Sequence, residues 1–348
     1  MKAVVKYDLG PGKMRVQEMP DPVAAYDQVV IEVKAASICS SDMHYWKAPD
    51  TGSRLRPPVI LGHEGTGIVT QVGDGVHHVK VGDRVVAETT LETCHVCDAC
   101  MEGSYNNCRN RKGLGSSANG YFAEYVVALG NSVHKLPDNL SFEEGALLEP
   151  LCCTVRAVTH MMDVKPYHHV LVSGAGPIGL FAAQVAKACG ATVIQTDTTV
   201  GEHRLELSRQ FGIDRTVNVQ KEKLADVIAD VTKGRGVDYA LDATAAVPAI
   251  QSCIDSIKPG GQFMFLAGVN TENGEMAINV QKLFGIGEIG LLTSRSTTPL
   301  DWYHTLRLAE MGKIHLKEII SHQLPLDEWE TGFNLVESRQ ANKVVFNP

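Results

Sequence analysis

The sequence predicts an α/β protein of two domains, one a doubly wound parallel sheet and the other a β-rich module. Three observations predict it. The stretch from Val170 to Asp197, VLVSGAGPIGLFAAQVAKACGATVIQTD, reads as strand, glycine turn, helix and second strand in immediate succession. Residues from about 151 to 290 go on alternating strand with helix. Residues 1 to about 150 read instead as many short strands broken by glycine and proline turns. At 348 residues the chain exceeds one ordinary hydrophobic core, which agrees with two domains.

In the β-rich module the expected strands are 4–7, 28–35, 67–72, 84–88 and 122–127, with turns at Gly73-Asp74-Gly75 and Gly82-Asp83. Such a set suits a compact barrel. In the second domain, Lys165-Pro166 is the turn before a first strand at 169–173. After Asp197 the pattern predicts helix 205–211, strand 216–219, helix 224–231, strand 237–242, helix 248–257 and strand 262–267. The tail, 291–348, carries helices near 302–311 and 326–337 and a last strand at 343–346. It is too short to stand alone and is expected to rejoin the β-rich module. The predicted domains are therefore 1–152 with 291–348, and 153–290. No internal repeat, heptad run or low-complexity segment is present.

Gly174-Ala175-Gly176-Pro177-Ile178-Gly179 is a complete GxGxxG between the first strand and its helix. Gly174 permits the tight turn, Gly176 lets backbone approach a pyrophosphate, and Gly179 lets helix pack on strand. Pro177 falls in the first helical turn, where its missing N–H costs nothing, and Ile178, Leu180, Phe181, Val185 and Cys189 recur with helical spacing before Gly190. Free N–H groups and the positive helix end then face phosphate, the Rossmann arrangement. The motif alone would fit any strand-to-helix glycine turn; the register of strand, helix, second strand and terminal acid argues against that. Asp197 can accept hydrogen bonds from the adenosine ribose hydroxyls and would repel a 2'-phosphate, so NAD is expected over NADP. Arg204 points the other way, since an arginine there can serve a 2'-phosphate.

A net charge of −8 with no basic block argues against a nucleic-acid or anionic-membrane partner, and no stretch reaches membrane-spanning length. The N-terminus MKAVVKYDLG lacks the features of a secretory signal, so a cytoplasmic location is expected. The nine cysteines must then be explained without disulfides.

Four of them, Cys94, Cys97, Cys100 and Cys108, follow C-x2-C-x2-C-x7-C, four soft thiolates in one short loop. That meets the needs of a closed tetrahedral structural zinc site. A redox dithiol and an iron–sulfur cluster are the alternatives; an acidic loop in a β-rich module, with no proline after the last cysteine, favours zinc.

Cys39-Ser40-Ser41-Asp42-Met43-His44 and Gly62-His63-Glu64-Gly65-Thr66-Gly67 are unremarkable singly: a small buried thiol and a turn histidine would explain them. Together with a carboxylate they supply three mixed ligands and leave a position open, which a catalytic zinc requires. Glu64 and Glu149 are both candidates for that carboxylate.

The stretches SDMHYW (41–46), GHEGTG (62–67), VGDRV (81–85), LPDNLSFEEGALLEPL (136–151) and GAGPIG (174–179) resemble the zinc-containing medium-chain dehydrogenases, and within them the polyol branch acting on sorbitol, xylitol and iditol. They span the first half of the chain; the tail agrees in outline only. The resemblance implies a GroES-like β-rich catalytic domain and a zinc held by Cys39, His63 and a glutamate. Family members differ on whether Glu64 or Glu149 is the inner ligand. Asp42 matches an acid that orients the zinc histidine, Ser41 a hydroxyl touching the alcohol oxygen, and His44 a relay carrying the proton to solvent. Tyr45 and Trp46 would line the substrate pocket, and Cys153 would pack on the nicotinamide. Two departures stand out. Ser40 replaces a usual glycine, and Thr293-Ser294, with Arg295 next, replaces an Arg-Tyr pair that grips polyol hydroxyls in relatives.

The remaining candidates have ordinary readings. Cys152 and Cys153 are small side chains starting the linking helix, His77-His78 and His168-His169 are surface or turn histidines, and Met161-Met162 is core or interface. The expected protein is thus an NAD-dependent, two-zinc dehydrogenase of a secondary polyol alcohol, working as a homodimer or homotetramer. Threonine, butanediol or sugar-phosphate dehydrogenation is the alternative within the class. A nicotinamide-nucleotide-binding protein that has lost catalysis is the alternative outside it, and the full complement of ligand and relay residues argues against that one.

Overall fold

The computed structural model describes residues 1–47 and 55–348. The chain forms two compact units. The first comprises Met1–Cys152, Ser296–Gly312 and Leu316–Pro348, and the second Cys153–Arg295 with Lys313–His315.

The first unit is organised on the strand Gln28–Ser37, whose apolar residues Val29, Val30, Ile31 and Val33 are buried. It pairs antiparallel with Glu64–Val72 on one side, and with Tyr125–Leu129 and the C-terminal strand Lys343–Asn347 on the other. These strands belong to a seven-stranded sheet, and a separate three-stranded sheet holds Lys2–Lys6, Met14–Glu18 and Val59–Ile60. Ala3 of the first strand also bridges antiparallel to Ala123, two residues ahead of Tyr125–Leu129. The strands of the expected compact barrel are distributed over these two sheets, with a two-stranded sheet of Thr90–Glu92 and Lys112–Gly113 beside them. The tail does return here. Its helix Trp329–Glu337 brings Phe333 against Phe122, and the last strand brings Phe346 edge-on to Phe122 at 5.4 Å between centroids. All three rings are fully buried, so truncating any one to alanine should cost about 3–5 kcal/mol.

The second unit is a six-stranded parallel sheet in the order Arg215–Asn218, Thr192–Asp197, His169–Ser173, Val237–Asp242, Ile257–Phe265, Gly290–Thr293. The strand order reverses beside His169–Ser173, the doubly wound pattern. Val170, Leu171 and Val172 have no exposed surface, as befits a strand covered on both faces. The unit runs to Arg295 because Gly290–Thr293 is a sixth strand, paired parallel with Ile257–Phe265, where the sequence suggested a boundary at 290. Four residues beginning at the last glycine of the glycine-rich stretch 285–290 carry too little pattern to be read as a strand. No helix among the described residues is long and apolar enough to cross a membrane.

Candidate metal sites and nucleotide loop

Cys39 and Glu64 meet because of strand register: Ser37, near the end of the central strand, is the partner of Glu64, the first residue of the next. Gly62, at φ +84°, turns the chain into that strand; a Cβ there would fall 2.6 Å from the Phe122 ring, so only glycine fits. His63 follows. The donor atoms of Cys39, His63 and Glu64 lie within 4.8 Å of one another. Glu64 is fully buried, and Cys39 and His63 are half-buried.

The two Glu64 oxygens differ. Oε2 accepts the Ser37 hydroxyl and faces the Lys343 ammonium at 2.5 Å, whereas Oε1 is buried with no hydrogen-bond partner. An orphaned buried carboxylate oxygen costs about 1–3 kcal/mol or more unless something accepts its charge. A cation among thiolate, imidazole and carboxylate would do so, and that donor set suits zinc with a position left open. The residues present therefore fit the metal. Neither Ser37 nor Lys343 stands out in the sequence. The available signal was a lysine directly ahead of the apolar run Val344–Phe346 in the final strand. Burial opposes the Lys343 charge, but Glu64, Cys39 and Glu149 outweigh it and push its pKa up.

Asp42 lies in the first turn of the helix Ser40–Lys47, which the sequence did not announce because it is short. Its carboxylate accepts the N–H of Cys39 at 2.9 Å and of Gly62 at 3.3 Å, and Oδ1 is 3.6 Å from His63 Nδ1. Burial opposes charge on His63, yet the Cys39 thiolate and Asp42 carboxylate raise its pKa well above the usual value. Ser41 Oγ is 3.5 Å from His63 Nε2, and His44, one turn on, is exposed. Trp46 packs edge-on against Phe333 at 5.5 Å. Glu149 is in the first turn of the helix Leu148–Val155, which therefore begins before Cys152. It is buried but lies outside the three-donor group.

The second donor group is Cys94, Cys97, Cys100 and Cys108, beside the paired strands Thr90–Glu92 and Lys112–Gly113. Its sulfurs sit 3.5 Å (Cys97–Cys100), 3.6 Å (Cys108–Cys94) and 3.9 Å (Cys94–Cys100) apart. Those spacings are too long for disulfides and match the edge of about 3.8 Å of a tetrahedron with roughly 2.3 Å metal–sulfur bonds. The backbone N–H groups of Val96 and Cys97 help lower the Cys94 thiol to about 6, so it is largely thiolate at neutral pH.

In the second unit, Gly174 turns at φ +93°. A Cβ on Gly179 would lie 2.0 Å from the Gly174 carbonyl, the close helix-to-strand approach expected of it. A Cβ on Gly176 would meet nothing within 4 Å, leaving open space before the helix Pro177–Ala188, whose N-cap makes no side-chain bond. That is the cradle a pyrophosphate needs, with Pro177 and Ile178 in the first turn above it. Asp197 closes its strand; Oδ2 accepts the Ala175 N–H at 2.9 Å and Oδ1 the Thr198 N–H at 2.7 Å. Arg204 lies on the next helix, Glu202–Gln210, half-buried.

Comparison with known proteins agrees with this chemistry. The profile of the alcohol dehydrogenase GroES-like domain matches residues 25–138, and that of the zinc-binding dehydrogenase matches 177–311. A D-arabitol-phosphate dehydrogenase of Enterococcus avium is 40% identical over 347 residues, 99% of this chain and 97% of that protein. This chain belongs to the zinc-containing medium-chain dehydrogenase family. Zinc-dependent enzymes of this family move hydride between a CH–OH group and a nicotinamide nucleotide. A sorbitol dehydrogenase of Halalkalibacterium halodurans is 37% identical over 348 residues, covering 100% of this dehydrogenase and 99% of the other. The crystal structure of galactitol-1-phosphate dehydrogenase from Escherichia coli matches with a TM-score of 0.88 at 25% identity, covering 100% of both chains.

Proposed function

We propose that this dehydrogenase oxidises a secondary alcohol of a polyol of the sorbitol, xylitol or iditol kind to a ketose, using NAD and two zinc ions. The observation that carries the reading is the three-donor group of Cys39, His63 and Glu64, with its orphaned Glu64 oxygen and the Ser41 hydroxyl 3.5 Å from His63. Zinc there supplies a Lewis acid that lowers the alcohol's pKa, and NAD supplies the hydride acceptor. The chain's own residues do the rest. Ser41 takes the alcohol proton, and the exposed His44 hands it to water. Asp42 braces both ligand-bearing turns. Glu64, whose Oε1 has no hydrogen-bond partner and which belongs to the three-donor group, is the inner carboxylate, with Glu149 held nearby. The four cysteines hold the structural zinc. Gly174, Gly176, Pro177, Ile178 and Gly179 hold the pyrophosphate, and the Asp197 carboxylate takes the ribose and disfavours NADP.

A second reading, a phosphorylated polyol, is favoured by the 40% identity to a D-arabitol-phosphate dehydrogenase over almost the whole chain. Initial rates on polyols, their phosphate esters, threonine and butanediol, each with NAD and NADP, test both. Fastest turnover of a free polyol with NAD supports the first reading. Fastest turnover of a phosphate ester selects the second, and preference for threonine or butanediol overturns both.

A homo-oligomer of two or four copies fits the open edge of the parallel sheet at Gly290–Thr293 and the neighbouring Phe284 and Val280, 78% and 59% exposed. A cytoplasmic location is supported by cysteines present as thiols rather than as disulfides.

A further inference from the structure

We propose that Lys343, together with Ser37, makes Glu64 a one-oxygen metal ligand and thereby keeps a coordination position open for substrate. The proposal rests on the reading of Cys39, His63 and Glu64 as metal ligands. A carboxylate can bind a cation through one oxygen or both, and both would fill the position that a catalytic site must leave empty. Here the choice is built into the surroundings of Glu64. Oε2 is taken twice, by the Ser37 hydroxyl and by the Lys343 ammonium at 2.5 Å, while Oε1 has no partner.

Lys343 is itself fixed. Its Nζ also donates to the Ile38 carbonyl at 2.8 Å, the residue is 4% exposed, and its strand is locked by the register Val345 to Ser37. The same pairing that delivers the lysine thus delivers Ser37, and both arrive on one oxygen. A buried ammonium persists only beside compensating anions, so Lys343 cannot swing away to release Oε2. The C-terminal strand therefore does more than complete the sheet: it contributes a positioning residue to the metal site.

Cobalt substituted at this site, with zinc retained by the four cysteines, reads the arrangement directly, because visible absorbance per bound cobalt falls as coordination rises above four. The wild-type spectrum should be the strong one, and should be lost in Cys39→Ser. Lys343→Met frees Oε2 and should weaken absorbance per bound cobalt by about twofold or more. Ser37→Ala removes one of the two donors and should shift the spectrum the same way by less; it carries the test if Lys343→Met does not fold. A Cys39-dependent wild-type spectrum left unchanged by Lys343→Met, or by Ser37→Ala should the former not fold, overturns the proposal alone. A wild-type spectrum indifferent to Cys39→Ser overturns the metal reading and the proposal with it.

Discussion

Asp42 Oδ1 lies 3.6 Å from His63 Nδ1, and the same carboxylate accepts the Cys39 N–H at 2.9 Å. One fully buried acid thus contacts two of the proposed ligands, which are far apart in sequence. Asp42→Ala should keep the fold and lower metal affinity at this site by roughly 10–100-fold, the usual loss when such a partner is removed. Competition with a chelator measures it; unchanged affinity would reduce Asp42 to a backbone brace.

If His63 is a metal ligand as proposed, its raised pKa should set the pH dependence of metal binding. Metal needs the neutral imidazole, and the protonated form dominates below the raised value. Affinity should therefore climb with pH until that value is passed and flatten above it, by up to about tenfold per unit for this proton. Titration calorimetry in buffers of different ionisation enthalpy should show proton release on binding at neutral pH. Binding without proton release would contradict the direction of the shift.

Asp197, the proposed ribose acceptor, also holds the Ala175 N–H of the glycine loop. Asp197→Gly should weaken NAD and improve NADP relative to it, narrowing the preference by tenfold or so. Steady-state kcat/KM on both cofactors measures this. Equal efficiency of the wild-type enzyme on both would shift attention to Arg204.

Much of this was legible because it is local. The glycine loop, its helix and the Val237–Asp242 strand carry their periodicity within a few residues, and the four cysteines announce a metal by spacing alone. Cys39 and His63 sit in separate turns brought together by strand register, so their joint presence in the sequence hints at a metal and resemblance is what outweighs the ordinary readings of each. Lys343 and Ser37 escaped notice for the same reason: a buried lysine is explained only by the carboxylate it meets, and that meeting depends on where the last strand docks. The Ser40–Lys47 helix is hard to read from sequence because it is two turns long: Asp42 holds the Cys39 N–H at its start, and Met43, Tyr45 and Trp46 pack on the core of the unit.

One open zinc site for chemistry and one closed site for structure are proposed for each chain. The most direct test is zinc per chain, measured by elemental analysis on the purified enzyme and again after brief chelation, alongside alcohol oxidation and circular dichroism on the same samples. We predict two zinc ions at the start and one after chelation, with activity abolished and the spectrum of the folded chain retained. A single zinc at the start, or activity that survives loss of the labile ion, would contradict it.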